Sequence, residues 1–395
     1  MTRWGHVAIA VMGGIAAALH VGKVPPAIPM LRAELGIDLV AAGWLMGLVS
    51  VLGAACGIFI GRFTDYLTHR RAMALGLGLL IAGSLMGAGS NSEMLLLASR
   101  TIESVGLIMA SVAAPGLIAA SIDARDTGLA FALWGIWIPA GVSAMMMISP
   151  FLLSGFGWRG SWIFAAAVSL IPMVALMLIK VPKPAHADRS FTSLATAVRL
   201  TAIQPMSWVI AGIFLAYSSS FMAVFGFLPT LLIEEMGISL TAASIMTALA
   251  VLANAVGNVL GGLLARWGAP RWTLIAGPCI MLTLTAFVVF GYGFPLWLRY
   301  GASVAYAVSG GLLPATIMGS LPVYAPRRDL VGTFSGFVMQ GSNIGQCFGP
   351  MLLASIVAAS GWSGAPYYIL GTTSLGFVLA LCLRQMEQRI AAQAA

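Results

Sequence analysis

Charge is the scarcest property of this sequence. Only 8% of its 395 residues are Asp, Glu, Lys or Arg, whereas soluble domains contain about 25%. Hydrophobic residues make up 60%, and the mean hydropathy is +0.97. This composition excludes a water-soluble globule and predicts a polytopic protein of the lipid bilayer. The formal net charge of +8 would suggest nucleic acid in a soluble protein. In this membrane protein the distribution of the basic residues indicates topology instead, and no nucleic-acid partner is expected.

Cysteine is scarce as well, and it forms no recognisable motif. The four cysteines lie far apart in apolar segments, without a CxxC pair, so neither a disulfide framework nor a zinc site is predicted. The sequence contains no nucleotide-binding loop, metal-ligand cluster or nucleophile constellation that we recognise. It therefore favours neither an enzyme nor an ATP-driven pump, and we expect no cofactor. The first apolar run is too long for a cleavable signal peptide.

Long apolar runs are what the sequence has in abundance. A helix needs about 20 apolar residues to cross the hydrocarbon core. Lipid offers backbone groups no hydrogen bonds, and the short alternating strands of a barrel are absent, so an all-α fold is predicted. Twelve segments qualify as transmembrane helices: 6–31, 41–62, 71–90, 94–120, 127–153, 160–180, 208–233, 240–264, 272–293, 296–322, 331–357 and 366–384.

Basic residues are distributed unevenly between the two ends of these spans. With the N-terminus inside, fifteen of the 20 Lys and Arg residues flank the spans on the cytoplasmic side, and only Arg32 and Arg159 lie outside. Lys23, Arg100 and Arg299 lie within spans. The positive-inside rule then predicts that both termini are cytoplasmic. The expected location is the cytoplasmic (inner) membrane.

The two halves of the chain resemble each other. "ELGIDLVAA" (34–42) matches "EMGISLTAA" (235–243) at six of nine positions, and Gly157-Trp158 matches Gly361-Trp362. Repeats of six helices enter the membrane in the same direction, which predicts two bundles related by a pseudo-two-fold axis along the membrane normal. We expect an N-terminal six-helix bundle over 1–183, a cytoplasmic linker over 184–207 and a C-terminal six-helix bundle over 208–395.

Two motifs resemble signatures of the major facilitator superfamily. "GRFTDYLTHRR" resembles its loop between helices 2 and 3, through Gly61, Asp65, Arg70 and Arg71, and "RTIESVG" (100–106) resembles its helix-4 signature. The resemblance implies a secondary transporter that works by alternating access, with the loop acting as a conformational gate. Ordinary positive-inside anchoring is the alternative for these arginines. Within the superfamily, "GKVPPAIPMLRAELG" and "ALWGIWIPAG" look most like the cyanate- and nitroimidazole-related branch.

Four polar side chains fall inside predicted spans: His20 and Lys23 in the first, Arg100 and Glu103 in the fourth. Each charge at mid-bilayer costs about 2.5–3.5 kcal/mol, so unpaired charges are hard to retain there. At 1.5 Å per residue the four lie at similar depth, and in the family's fold helices 1 and 4 line the cavity. The net charge of +1 favours a small anionic substrate. The carboxyl and imidazole groups suit proton coupling, as symport or antiport.

Each of these residues also has a simpler interpretation. Pro25 and Pro26 would end the helix early and let Lys23 snorkel to the interface. Arg100 and Glu103 would form a structural ion pair, and His20 would only pack. Gln340 leads the polar candidates of the second half, although such residues often bond between helices. The alternative function is proton-driven efflux of a drug-like compound, and the protein is expected to be a monomer.

Overall fold

The computed structural model describes residues 2–55, 68–123, 126, 130, 133–179, 194–327 and 330–394. These residues are helical almost throughout and contain no strand, which confirms the predicted all-α fold. In chain order the longer helices are α1 (Trp4–Gly22), α2 (Val24–Leu35), α3 (Leu39–Gly47), α4 (His69–Ala88), α5 (Glu93–Ala119), α6 (Trp137–Leu178), α7 (Leu194–Ile203), α8 (Pro205–Glu234), α9 (Leu240–Arg266), α10 (Thr273–Val289), α11 (Leu296–Tyr324), α12 (Val331–Ser360) and α13 (Ala365–Ala394).

Helix length and hydropathy fit the predicted spans. Nine helices in the described part of the chain are long and apolar enough to cross a membrane. One of them, α6, has 42 residues, or about 63 Å, which is twice the hydrocarbon thickness. It bends at Gly157 and therefore comprises two spans. Two shorter apolar helices, Leu39–Ala55 and Thr273–Val289, bring the number to the twelve that the apolar runs predicted.

The internal repeat is visible in the backbone. Gly36 and Gly237, 201 residues apart, have φ of +66° and +63°. Gly157 and Gly361 have φ of +64° and +69° with ψ of −174° and −175°. Only glycine adopts such conformations without strain. The equal dihedrals show that both halves of the chain make the same turn at the same point of their sequence.

The contacts group the described helices into two compact units. One comprises Met1–Arg189 with Gly226–Ala248, and the other comprises Ser190–Phe225 with Leu249–Ala395. The division therefore falls inside α8 and α9, whereas the predicted boundary was the loop before α8. The bundles 1–183 and 208–395 with their linker 184–207 stay a prediction, and residues 184–193 lie outside the described residues.

In the first unit α4 and α5 lie in backbone contact. A Cβ added to Gly106 would come within 2.5 Å of the carbonyl oxygen of Gly76. One added to Gly83 would come within 2.8 Å of Glu103 Cγ. Small residues permit such close helix packing in lipid. Gly76 and Gly83 of α4 therefore allow the polar face of α5 to pack closely against α4.

Candidate functional site

Lys23 lies at a break between α1 and α2. Its backbone N–H still donates to Leu19 O, at 3.1 Å, and closes the last turn of α1. Pro25 and Pro26 follow at the start of α2, and because they have no N–H they cannot continue the hydrogen-bond ladder. The side chain of Lys23 is nevertheless fully buried. It does not snorkel to an interface, so that alternative is wrong for this structure.

Arg100 and Glu103 share one face of α5, and both are fully buried. Arg100 Nη1 donates to Glu103 Oε2. The same guanidinium donates from Nε to Leu45 O, at 2.8 Å, and from Nη1 to His20 O, at 2.9 Å. Arg100 therefore ties α5 to α3 and α1. Its Nη2 is buried without a hydrogen-bond partner in the described structure.

The structure brings His20, Lys23, Arg100 and Glu103 together in one group, which we call the charged cluster. Glu103 Oε1 lies 2.5 Å from Lys23 Nζ and 3.3 Å from His20 Nδ1. Lys23 Nζ and His20 Nδ1 are also 3.3 Å apart. One carboxylate oxygen thus faces both the ammonium and the imidazole, while the other faces Arg100. With neutral His20 the cluster carries a net charge of +1.

Two serines complete the cluster, and the sequence analysis missed both. Ser84 on α4 accepts from Lys23 Nζ at 2.7 Å, and Ser169 on α6 lies 3.0 Å from His20 Nε2. Trp162 on α6 covers the ammonium, with Lys23 Nζ 4.7 Å from its ring centroid. No sequence signal separates these serines from Ser149, which is equally buried but bonds only to the carbonyl of Met145 in its own helix.

Gln340 lies half-buried on α12, in the second compact unit. Of the other polar candidates of that unit, Asn254 bonds between helices, whereas Asn258 and Asn343 bond within their own helices. Asn254 Nδ2 donates to Tyr217 OH, at 3.2 Å, and to Ala307 O, at 3.0 Å. These contacts fit the structural interpretation of the amides. The role of Gln340 in binding stays a prediction.

Only part of the loop motif falls within the described residues, because Gly61 and Asp65 lie outside them. Arg70, at the start of α4, donates to Ile179 O at 2.6 Å. Arg71 is exposed, and its backbone N–H approaches the capping Thr68 Oγ1 at 3.4 Å. Both arginines therefore lie at the end of a span, and their role in a gate stays a prediction.

Comparisons with known proteins agree over most of the chain. The family model described as Major Facilitator Superfamily matches residues 10–350. The cyanate transport protein CynX of Escherichia coli (strain K12) is 26% identical over 325 residues, which cover 81% of each chain. A lincomycin resistance protein of Streptomyces lincolnensis is 29% identical over 208 residues. That match covers 51% of this chain and 41% of the resistance protein, less than half of its length.

The fold is shared with a solved structure. The crystal structure of a bacterial homologue of the human lysosomal transporter Spinster superposes with a TM-score of 0.81. The match covers 96% of this chain and 95% of the other at 16% sequence identity. At that identity the likeness shows the arrangement of helices and nothing about the substrate.

Proposed function

This chain belongs to the Major Facilitator Superfamily of membrane transporters, and we propose that it moves a small anion together with a proton by alternating access. The family and the relatives identify a multi-pass membrane transporter and not an enzyme, as the motifs predicted. The resemblance to the cyanate-related branch is likewise confirmed by the relative CynX. The substrate, the proton and the roles of single residues are our proposal.

The buried position of Glu103 between two cations carries this proposal. Its carboxylate pairs with Lys23 through Oε1 and with Arg100 through Oε2. While Glu103 is ionised, its carboxylate is the counter-ion of Lys23. Once Glu103 is protonated the ammonium loses its counter-charge, and an anion can take the place of the carboxylate. A buried charge demands a partner, so protonation of Glu103 and binding of an anion at Lys23 favour each other.

The stoichiometry follows from the charges of the cluster. A proton adds one positive charge and a monovalent anion adds one negative charge, so the cluster keeps its net +1 when both are bound. Either one alone would change the charge of a fully buried group, which is costly in a medium of low dielectric constant. The cluster therefore favours release of the proton and the anion together, or of neither. This is the behaviour required of a symporter.

Cyanate, the solute in the name of one relative, is a small monovalent anion. That match supports an anionic substrate for this chain. The remaining proposals rest on the distribution of basic residues and on the loop motif. Both termini lie in the cytoplasm, the membrane is the inner membrane, and the loop around Asp65, Arg70 and Arg71 gates the cytoplasmic side. Gln340 is the first residue of the second bundle that we expect to touch the substrate.

Efflux of a drug-like compound is the second candidate function. The match to a lincomycin resistance protein favours it, although it covers only half of this chain. An exporter of this kind would exchange its solute for protons, whereas the symporter moves both in one direction. A proton gradient of fixed direction therefore distinguishes the two functions.

Reconstituted liposomes test the proposal. The purified protein is assayed with labelled cyanate, nitrite, formate and acetate, at equal pH and with the outside acidic. A symporter accumulates at least one of these anions only when the outside is acidic. Protein-free liposomes measure diffusion of the neutral acids. No accumulation above these liposomes for any anion, together with proton-driven lincomycin movement in the opposite direction, would favour the exporter.

A further inference from the structure

The hydroxyl of Ser169 bears on the question of which nitrogen of His20 carries a proton. A serine hydroxyl has one hydrogen to donate and two lone pairs to accept with. Ser169 Oγ donates its hydrogen to Ala165 O, at 2.8 Å, one turn earlier in α6. Only lone pairs remain for His20 Nε2, which lies 3.0 Å away. The imidazole must therefore donate, so Nε2 bears hydrogen in this arrangement.

This assignment leaves Nδ1 as the nitrogen that gains or loses a proton. Nδ1 faces both Lys23 Nζ and Glu103 Oε1, at 3.3 Å each. In neutral His20 the Nδ1 lone pair accepts from the ammonium of Lys23. In protonated His20 an Nδ1–H donates to the carboxylate of Glu103. The same nitrogen is therefore within reach of the group that we propose to carry the coupling proton.

We infer that Ser169 is a positioning residue that holds the proton of neutral His20 on Nε2, so that His20 passes the coupling proton to Glu103 through Nδ1. In this step the Nδ1–H bond of the imidazolium breaks and an O–H bond forms at Oε1. Neutral His20 keeps its Nε2–H, Glu103 becomes neutral, and Lys23 is released. The proton reaches Nδ1 from hydronium on the acidic side of the membrane, which leaves a neutral water molecule. The relay of the coupling proton rests on the proposed function, whereas the hydrogen-bond geometry around His20 does not depend on it.

The surroundings of His20 contain few other groups that could compete for this proton. Among the described residues, the titratable groups that face it are Lys23 on its own helix and Arg100 and Glu103 on α5. α4 and α6 contribute the hydroxyls of Ser84 and Ser169. Without the Ser169 hydroxyl, Lys23 and Glu103 would act on Nδ1 in opposite directions: the ammonium favours a lone pair there, and the carboxylate favours a hydrogen. The preference for Nε2–H that Ser169 adds would then be lost.

The tautomer can be measured directly. In the purified protein with ¹⁵N-labelled histidine, His20→Gln assigns the signal of His20. We expect the Nε2–H tautomer in the wild type, loss of that preference in Ser169→Ala, and its return in Ser169→Thr, which restores a hydroxyl. Ser149→Ala is the control, because Ser149 is an equally buried serine in the other span of α6, before the bend at Gly157, and its hydroxyl donates to Met145 O in its own helix. A wild-type protein with hydrogen on Nδ1, or an unchanged signal in Ser169→Ala, would overturn the inference.

Transport separates positioning from packing. A neutral hydrogen bond contributes about 1 kcal/mol, so Ser169→Ala should slow proton-driven uptake about fivefold. Anion exchange at equal pH needs no net proton transfer, so its rate should fall less than that of proton-driven uptake. An equal loss of both rates would indicate a packing role and contradict the relay. If the wild type shows the expected tautomer but no proton-driven uptake, then the proposed function fails while the role of Ser169 stands.

Discussion

Glu103 Oε1 lies 2.5 Å from Lys23 Nζ, and neither side chain is exposed. Removing one member of a buried ion pair leaves an uncompensated charge, which typically costs about 3–5 kcal/mol. A loss of transport after substitution of either residue is therefore ambiguous by itself. The predictions below compare each variant with a control on the same helix or with a second measurement.

Lys23→Ala should weaken binding of the transported anion at least tenfold. Loss of a charged hydrogen-bonding partner costs about 1.5–3 kcal/mol, which corresponds to this factor or more. Lys23→Arg should restore only part of the affinity, because the forked guanidinium is bulkier than the ammonium that fits between Ser84 and Trp162. Equilibrium binding of the labelled anion to detergent-solubilised protein measures both. Wild-type affinity in Lys23→Ala would show that the anion does not bind at Lys23.

Glu103→Gln should uncouple anion movement from the proton gradient. The amide cannot carry the coupling proton, but like the protonated acid it leaves Lys23 free for the anion. We expect exchange of labelled for unlabelled anion at equal pH to persist, and accumulation under a pH gradient to disappear. Glu93→Gln, at the exposed start of the same helix, should change neither. Continued accumulation in Glu103→Gln would mean that another group carries the proton, with His20 the next residue to test.

Ser84→Ala should raise the KM of uptake at least tenfold without affecting the direction of coupling. Ser84 Oγ donates to Trp162 O at 2.9 Å and accepts from Lys23 Nζ, so it holds the ammonium in position. Loss of a hydrogen bond to a charged group costs about 1.5–3 kcal/mol. Ser149→Ala serves as the control. A KM equal to that of the wild type would show that the cluster keeps Lys23 in place without Ser84.

Gly83→Ala should destabilise the first unit. The added methyl would lie 2.8 Å from Glu103 Cγ and 3.0 Å from the Glu103 backbone nitrogen, so α4 and α5 would have to separate. Overpacking of this kind typically costs about 1–3 kcal/mol. Gly78→Ala on the same helix is the matched control, because its methyl would meet nothing closer than Met173 Sδ at 3.8 Å. Thermal unfolding in detergent should show a lower Tm for Gly83→Ala only. Equal Tm values would contradict the close packing.

Topology can be tested with single cysteines in a cysteine-free background. A cysteine at Arg327 should react with a membrane-impermeant thiol reagent only from the cytoplasmic side, and one at Glu235 only from the outside. Both positions are exposed at or just beyond the end of a helix. Reaction of both from the same side would be incompatible with the twelve-span arrangement.

The fold was largely predictable because its determinants are local in the sequence. Apolar runs define the spans, and Gly36 and Gly157 with their repeats Gly237 and Gly361 mark the turns where φ is positive. The pairing of Lys23 with Glu103 was predictable for a different reason. Charges at the same depth of a bilayer are costly unless they meet.

The serines of the cluster were not predictable. A serine in a transmembrane helix can bond to its own backbone, as Ser149 does, so its presence costs little and signals nothing. Depth along a helix also says nothing about which way a side chain points around the axis. The closure of the cluster by α4 and α6 depends on helix rotation and close packing at Gly83. These are properties of the folded bundle.

The charge balance that we propose for the cluster, one proton for one monovalent anion, determines which driving force this protein would use. A membrane potential acts on net charge that crosses the bilayer, with about 2.3 kcal/mol per elementary charge per 100 mV. When a proton and a monovalent anion cross together, the moving charge sums to zero, and the fixed +1 stays with the protein. Voltage then does no work on the cycle. The concentration gradients of protons and anion alone would drive it, so the carrier would respond to acidity on either side of the membrane and be indifferent to depolarisation.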